Sequence, residues 1–206
     1  MLGAVLVVVA ASVLVVAVGY LLGTFPTAAI VGRLTGHDPT AEGSGNPGAT
    51  NVYRTSGRGA GLAVLLTDLA KGAIAAGLGL LVGDHLLGLA AGAAAVAGHI
   101  APVGRRFRGG KGVATAAGMA IVLYPGLSLV MGVVFALTVA VTRRGSVGSL
   151  VLALLLPMGV AVTGHRGTEV LITAGVSLVV IARHHENIRR LIRREEAPVR
   201  PAGEPS

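Results

Sequence analysis

Seven apolar stretches alternate with polar segments along this chain of 206 residues. Most of the stretches are long enough to cross a bilayer as helices, and basic or glycine-rich loops separate several of them. The predicted spans are residues 3–25, 60–82, 86–103, 112–124, 126–142, 147–163 and 168–183. The pattern predicts an all-α membrane protein, with a single domain over residues 1–196 that forms a seven-transmembrane-helix bundle.

Two of these spans are predicted to be irregular. The first continues past Gly23-Thr24-Phe25-Pro26 to Leu34, and we expect a kinked helix because proline interrupts the helical hydrogen bonds. The span 112–124 is short for a straight crossing at about 1.5 Å per residue. We expect it to form a helical hairpin with the next span, turning at Tyr124-Pro125-Gly126.

Composition supports a membrane domain. Hydrophobic residues make up 53% of the chain and charged residues only 13%, about half the charged fraction of a soluble domain. The chain has no cysteine, which excludes disulfides, thiolate metal sites and a cysteine nucleophile. The apolar start lacks a basic leading region, so we do not expect a cleaved signal peptide.

The basic residues predict how the chain is oriented. There are 17 Lys and Arg against 9 Asp and Glu, a balance that in a soluble protein would suggest nucleic acid but here indicates loops that orient the helices. With the N-terminus outside, every Lys and Arg except Arg166 and Lys71 lies inside or in the cytoplasmic tail. We therefore predict a plasma-membrane protein with a cytoplasmic C-terminus and a disordered cytoplasmic tail over residues 197–206.

Three polar segments on the predicted cytoplasmic side carry the candidate chemistry. The first runs from Glu42 to Arg54 and places Gly43, Gly45 and Gly48 among hydrogen-bonding side chains. Such a loop can present backbone N–H groups to an anion. Ordinary turns have the same composition, and this segment alone favours the turn.

The second segment contains Arg105, Arg106 and Arg108, followed by Gly109-Gly110-Lys111-Gly112. Arginine and lysine bind phosphate, and a helix that opens at 111–115 would add its free N–H groups. A P-loop is excluded because Arg105 and Gly112 stand where glycine and Ser or Thr are needed. The alternative is a basic membrane anchor, which suits Arg105 and Arg106 better than Lys111.

The third segment, residues 183–196, begins at the end of the last span. His184 and Asn187 are three apart and share a helix face. The histidine could act as a general base or phosphate donor, or equally be a solvated residue in a basic juxtamembrane helix. A His-Glu-x-x-His zinc site is excluded, because Arg189 stands at the second histidine position.

Two further groups of polar residues lie close to these segments. Asp68 and Lys71 are mid-span and three apart, and we predict a structural ion pair rather than a functional one. Ser146 and Ser149 follow the basic pair Arg143-Arg144 and could reach the same membrane face.

Together the segments resemble the three motifs of the bacterial membrane acyltransferases that move a fatty acyl group from acyl phosphate to glycerol 3-phosphate. The order of the motifs, their separations and the hydropathy between them fit this family up to about Pro198. Pro47 departs from the usual aliphatic residue, and Arg194 stands where glycine precedes the family's acidic residue. The matching stretches are Gly43-Ser44-Gly45-Asn46, Gly48-Ala49-Thr50-Asn51, Arg54, residues 108–115 and His184 through Leu191.

The resemblance implies an enzyme that acylates the sn-1 hydroxyl of glycerol 3-phosphate at the cytoplasmic face, giving lysophosphatidic acid and phosphate. The catalytic residues that it implies are Ser44, Lys111, His184 and Asn187. The phosphate-binding residues that it implies are Ser44, Gly45, Asn46, Thr50, Asn51, Arg54, Gly109, Gly110, Lys111, Gly112, Ser149 and Glu196. The expected partners are both substrates, the lipid bilayer and a soluble enzyme that supplies acyl phosphate, with no nucleic acid, cofactor or metal.

Two other functions fit some of these features. A transporter for an organic phosphate would use the same basic glycine loops, but it predicts polar groups at both faces or inverted repeats, and the outer loops here are short. A membrane scaffold would use the basic tail to hold anionic lipid, but it leaves the glycine loops without a role.

Overall fold

The computed structural model describes residues 1–199, and its regular structure over that range is entirely helical. Within residues 1–199, ten α-helices and one 3-10 turn at Val103–Arg105 follow one another. The helices are α1 (Leu2–Thr24), α2 (Thr27–Thr35), α3 (Ala49–Ser56), α4 (Arg58–Val82), α5 (His85–Ile100), α6 (Val113–Leu123), α7 (Pro125–Thr142), α8 (Gly145–Val162), α9 (Gly167–Arg183) and α10 (His185–Ile192).

The seven predicted spans correspond in order to α1 and α4 through α9. Within the described residues, five helical spans are long and apolar enough to cross a membrane, the first of them joining α1 and α2. A sixth is formed if α9 and α10, which meet at an angle of 56°, count as one bent span. The chain is therefore an all-α membrane protein, whereas seven crossings with the N-terminus outside remain a prediction.

Both predicted irregularities are confirmed. The first apolar helix breaks at Phe25 and Pro26, so that α1 ends at Thr24 and α2 begins at Thr27. The short helix α6 has 11 residues and is followed by α7 after the single residue Tyr124, with Pro125 as the first residue of α7.

Helices α4, α5 and α6 form the centre of the bundle. The contact between α4 and α6 is close because glycine faces backbone on both sides: a Cβ on Gly72 would lie 1.9 Å from the Thr115 carbonyl oxygen, and one on Gly118 would lie 1.9 Å from that of Leu69. Small residues allow this approach in membranes. Large apolar side chains of α1 and α7 are exposed instead, as expected for helices that contact lipid.

The predicted ion pair between Asp68 and Lys71 is confirmed. Lys71 Nζ donates to Asp68 Oδ1 at 2.7 Å and to the Phe25 carbonyl oxygen at 2.7 Å, and both side chains are buried. The pair therefore joins α4 to the break between α1 and α2.

The start of the predicted tail lies against the bundle. The Ala197 carbonyl oxygen accepts a hydrogen bond from Arg54, and the Val199 N–H donates to the Arg143 carbonyl oxygen at 2.7 Å. The rest of the tail, residues 200–206, lies outside the described residues, and its predicted disorder remains a prediction.

Candidate active site

A cavity of about 410 Å³ lies where the three polar segments meet. Residues of all three segments and the start of α8 line its polar end. The polar and charged lining residues that these segments and α8 contribute are Ser44, Asn46, Thr50, Asn51, Arg54, Lys111, Ser146, Ser149, His184, Asn187 and Glu196, and α4 and α5 add Asp68 and His99. The predicted convergence of the segments is therefore present in the structure.

The cavity continues from its polar end into an apolar groove between helices. The groove is walled by α4, α6, α7, α8 and α9, which are the helices that connect or follow the polar segments. Its lining side chains include Leu65, Leu69, Ala117, Ile121, Met131, Phe135, Leu152, Leu156 and Val176. One cavity thus combines a cationic, hydrogen-bonding end with space of the kind that a hydrocarbon chain occupies.

The first segment is shaped by Asn51, which is 2% exposed. Its Oδ1 accepts from the Ser44 N–H at 2.8 Å, and its Nδ2 donates to the carbonyl oxygens of Pro39 and Glu42 at 2.9 and 3.0 Å. These bonds close the loop over the N-terminus of α3 and leave the Ser44 side chain lining the cavity. Asn51 therefore acts chiefly by positioning the loop.

Two of the three glycine amides of this loop already have partners. Gly45 N–H donates to the Glu42 carbonyl oxygen at 3.0 Å and Gly48 N–H to that of Asn46 at 2.8 Å. Gly45 is also absent from the cavity lining within the described chain. The structure thus differs from the expectation that these glycines offer N–H groups to a phosphate, because the loop uses those groups to hold its own shape.

The second segment contributes Lys111 and Gly112 to the cavity but not the two glycines before them. Gly109 and Gly110 are buried, and their N–H groups donate to the carbonyl oxygens of Ile100 and His99, both at 3.1 Å. They pack the segment against the end of α5, where both N–H groups are engaged by backbone, and the phosphate contacts of Gly109 and Gly110 remain a prediction. Gly112 caps α6 with a φ of +84°.

Lys111 begins a chain of polar contacts that crosses all three segments. Its Nζ donates to Asn187 Oδ1, and Asn187 Nδ2 donates to Glu196 Oε1 at 2.7 Å. The same carboxylate accepts from Ser146 Oγ at 2.7 Å and from Arg190 Nε at 2.7 Å. Glu196 therefore holds the Asn187 side chain in position, and Asn187 in turn holds the Lys111 side chain.

Glu196 was expected to bind substrate phosphate, and its geometry argues otherwise. A carboxylate repels phosphate, and this one is 5% exposed and occupied by three side-chain donors. Burial acts to raise the pKa of Glu196, but the bonds from Arg190, Ser146 and Asn187 outweigh it and hold the pKa below its ordinary value. We assign Glu196 to positioning.

Cations outnumber the carboxylate at this end of the cavity. Burial lowers the pKa of Lys111 to about 8, with Arg190 adding to the effect and Glu196 opposing it. Burial also lowers the pKa of Arg54, whose Nη2 donates to the Ala197 carbonyl oxygen at 2.7 Å while its buried Nε has no hydrogen-bond partner. Desolvated cations with a free donor are suited to an anionic ligand.

His184 lies at the break between α9 and α10 and is 2% exposed. Its Nδ1 lies 2.7 Å from the Val180 carbonyl oxygen, which can only accept, so Nδ1 carries the proton and Nε2 carries the lone pair. Burial lowers the pKa of His184 to about 4, with Lys111 adding to the shift. The imidazole is therefore neutral at pH 7.

The structure also distinguishes the two candidate serines and adds Arg190 to the site. Ser146, rather than the predicted Ser149, bonds Glu196; Ser149 lines the cavity but donates to the Gly145 carbonyl oxygen at 2.9 Å. Arg190 lies among exposed arginines but is itself only 30% exposed, and its Nε bonds Glu196. No local pattern distinguishes it, because its partner is reached only after α10 ends.

The chain matches proteins of established class. Residues 13–194 match the model of the glycerol-3-phosphate acyltransferase family. Glycerol-3-phosphate acyltransferases of Syntrophotalea carbinolica and Syntrophomonas wolfei are 44% and 42% identical to it over 181 residues. The first alignment covers 86% of this chain and 92% of the relative, and the second covers 87% and 93%.

Two solved structures share the fold. Both are of PlsY (YgiH), an integral membrane glycerol 3-phosphate acyltransferase, one in a glycerol 3-phosphate form and one in a lysophosphatidic acid form. Their TM-scores are 0.87 and 0.85, each at 32% identity and covering 91% of this chain and 94% of the solved chain.

Proposed function

Because this chain belongs to the glycerol-3-phosphate acyltransferase family, we propose that it moves a fatty acyl group from acyl phosphate to the sn-1 hydroxyl of glycerol 3-phosphate. The products are lysophosphatidic acid and phosphate, as in the first acylation of phospholipid synthesis. The observation that carries the proposal is the single cavity that joins a cationic end to an apolar groove. A soluble enzyme supplies the acyl phosphate.

The cavity suits two substrates that meet head to head. The groove between α4, α6, α7, α8 and α9 takes the acyl chain, and the polar end takes both phosphates. Two anions repel each other unless cations lie between them, and Arg54 and Lys111 supply that charge. Ser44, Asn46, Thr50 and the first turn of α6 add hydrogen-bond donors, since helix N-termini favour anions.

The reaction needs alignment and charge neutralisation more than acid or base catalysis. The glycerol oxygen attacks the acyl carbonyl carbon, a new C–O ester bond forms, and the bond between that carbon and the phosphate oxygen breaks. The hydroxyl proton leaves with the attack. The departing phosphate needs one proton to leave as hydrogen phosphate, so the proton balance closes within the two substrates.

In this scheme His184 orients the nucleophile. Its neutral Nε2 accepts a hydrogen bond from the attacking hydroxyl, and the proton passes to the phosphate oxygen. A residue with a pKa of about 4 in the substrate-free protein is a weak base, which favours phosphate as the final acceptor. Asn187, held by Glu196, keeps Lys111 directed at the phosphates.

The membrane orientation belongs to the same proposal. The polar end of the cavity lies beside the basic segments 105–111, 143–144 and 183–194, and basic loops favour the cytoplasm. We propose seven crossings of the plasma membrane, with the N-terminus outside and the cavity opening to the cytoplasm.

A single cysteine at position 108 tests this orientation in intact cells. It should resist a thiol reagent that cannot cross the membrane. Labelling at this position would contradict the proposed topology and favour the opposite one.

The experiment that tests the reaction compares acyl donors. Purified protein is given glycerol 3-phosphate with either a long-chain acyl phosphate or the matching acyl-CoA, and lysophosphatidic acid is measured. We expect product from acyl phosphate and none from acyl-CoA. Equal or greater product from acyl-CoA alone would overturn the proposed donor while leaving the family assignment in place.

A further inference from the structure

A second cluster of titratable side chains lies at the end of the bundle opposite the candidate active site. His85 begins α5, Tyr124 joins α6 to α7, and His165 and Glu169 lie at the start of α9. Helices α6 and α9 each run between this cluster and the polar end of the cavity, so α9 alone separates the two by about 25 Å, given its 17 residues. The proposed reaction uses none of these four residues.

Three polar atoms in this cluster converge on one carboxylate oxygen. Glu169 Oε2 lies 3.1 Å from His85 Nδ1, 3.2 Å from His165 Nδ1 and 3.0 Å from the Tyr124 hydroxyl, which donates to it. The two imidazole rings are stacked, with centroids 5.6 Å apart and planes 18° from parallel. Glu169 is 6% exposed, whereas both histidine side chains are about one-third exposed and reachable from solvent.

The tautomer of His85 is fixed by its other nitrogen. Nε2 lies 3.0 Å from the Leu123 carbonyl oxygen, so Nε2 carries the proton. A neutral ring then has its lone pair on Nδ1, which is buried and makes no hydrogen bond even though the carboxylate is within ion-pair distance. A lone pair beside a carboxylate oxygen is repulsive unless a proton or a metal ion lies between the two, and a proton on Nδ1 would call for a hydrogen bond that this geometry lacks.

We propose that His85, His165 and Glu169 bind a divalent transition-metal ion of the zinc class. Two imidazole nitrogens and one carboxylate oxygen are ligands that Zn²⁺ prefers, and they leave a fourth position for water. Ligands about 2.0–2.1 Å from a tetrahedral zinc lie about 3.3–3.4 Å from one another. The two distances to Glu169 Oε2 are close to these values, and the three ligand atoms lie within 4.8 Å of one another.

The surroundings of the three ligands match those of protein metal sites. Metal-binding histidines usually donate their second nitrogen to a carbonyl or carboxylate, as His85 does to Leu123. Ligating carboxylates are themselves hydrogen-bonded, as Glu169 is by Tyr124, and one carboxylate oxygen has room for both partners. The bound ion would join the start of α5 to the start of α9 and, through Tyr124 and Leu123, to the end of α6.

Direct metal binding tests this proposal. Protein purified in detergent without a polyhistidine tag is stripped with a chelator, dialysed against Zn²⁺, and measured by elemental analysis and titration calorimetry. We expect one bound Zn²⁺ per chain and a higher melting temperature with zinc, because a ligand that binds only the folded state stabilises it. Wild-type protein that binds no zinc above background would overturn the proposal.

Two variants and a matched control locate the ion. His165→Ala and Glu169→Gln should each weaken zinc binding by about 100-fold or more, since even changing a residue that only hydrogen-bonds a ligand costs about 10–100-fold. His185→Ala, an exposed histidine at the other end of α9, should bind as the wild type does. Unchanged affinity in His165→Ala, or lost affinity in His185→Ala, would contradict this site.

A further readout keeps the result interpretable if one variant folds poorly. Acyl transfer takes place at the far end of the bundle, so both variants should retain it in zinc-free buffer, and that activity reports folding. Glu169→Gln keeps an oxygen that can accept from Tyr124 and is the milder change. Loaded with Co²⁺ instead of zinc, the wild type should show the visible absorption of a four-coordinate site; the spectrum of free Co²⁺ would contradict it.

Discussion

The two glycine-rich segments of this protein use the same residue for opposite purposes. In the first, Gly43 and Gly45 have φ angles of +60° and +68° and let the loop turn so that Ser44 faces the cavity. In the second, Gly109 and Gly110 lie buried against the end of α5, where a Cβ on either would come within about 2 Å of His99. One pair provides a turn and the other provides close packing.

The comparison teaches where the binding chemistry of a glycine-rich motif resides. The N–H groups of Gly45, Gly109 and Gly110 bond to backbone carbonyl oxygens of the protein, so these amides are not free for a ligand. The glycines place a side chain instead: Ser44 in the first segment and Lys111 in the second. Changes at the placed side chains should therefore affect catalysis, and changes at the glycines should affect folding.

The largest effect should come from removing the side chain that the second segment places. Lys111→Ala should lower kcat/KM by about 10²–10³-fold, since a lost donor to a charged transition state costs about that much. The protein should still insert and purify normally. Arg108→Ala, an exposed cation three residues earlier, is the matched control and should lose little activity. Similar losses in both variants would mean that general basicity, not Lys111, binds phosphate.

Alanine substitutions at the glycines of the two segments should destabilise the protein by different amounts. Gly109→Ala places a Cβ 2.0 Å from the His99 carbonyl oxygen and should cost about 3 kcal/mol or more, since backbone cannot move aside. In Gly45→Ala the new Cβ contacts only the Thr40 carbonyl oxygen, at 3.4 Å. Its cost in stability comes from the left-handed φ and should be about 1–2 kcal/mol. Thermal unfolding in detergent measures both. Equal losses would show that the two segments do not use glycine differently.

The charge on Lys111 should give the reaction a pH dependence. Its lowered pKa means that the ammonium is present below about pH 8 and is lost as pH rises through that value. For glycerol 3-phosphate, kcat/KM should fall above that pH, approaching about tenfold per unit, because this parameter reports the free enzyme. In Lys111→Arg the side chain stays charged, so kcat/KM should no longer decrease above about pH 8. If the variant keeps the same pH profile as the wild type, the decrease comes from another group.

The smallest effect should come from Arg194, which departs from the family's glycine. Its φ is +60°, a conformation that disfavours any residue with a Cβ, so Arg194→Gly should stabilise the protein by less than about 1 kcal/mol. Arg193→Gly, at a neighbouring exposed position with φ of −80°, should bring no gain. A melting temperature that falls in Arg194→Gly would show that the side chain contributes more than the strain costs.

Much of this fold could be predicted from hydropathy and the positions of proline. The apolar spans, the break before Pro26 and the hairpin before Pro125 follow from periods of hydrophobicity and from proline, which are local properties. The family assignment from three motifs is likewise confirmed by the family match and by relatives above 40% identity. The local sequence does not determine how deeply each helix lies in the bilayer, and the number of crossings therefore remains a prediction.

The details of the site were less predictable because they depend on contacts between distant residues. Glu196 reaches Ser146 and Arg190 only because the chain folds back after α10, and the burial of Gly109 depends on where α5 ends. His85 lies far along the chain from His165 and Glu169, which are four residues apart, so the three form no recognisable motif. Residue types were visible in the sequence, but their partners were not.

The central claim is that separate segments form one site, and the absence of natural cysteines allows a direct measurement. Single cysteines are placed at Ala49, Ala114 and Ser149, which all line the cavity, and at Ala41, which does not. Thiol labelling is followed as glycerol 3-phosphate is added. The account predicts that the substrate protects the first three at the same concentration and leaves position 41 reactive. Protection of only one segment, or different midpoints among the three, would contradict a single shared site.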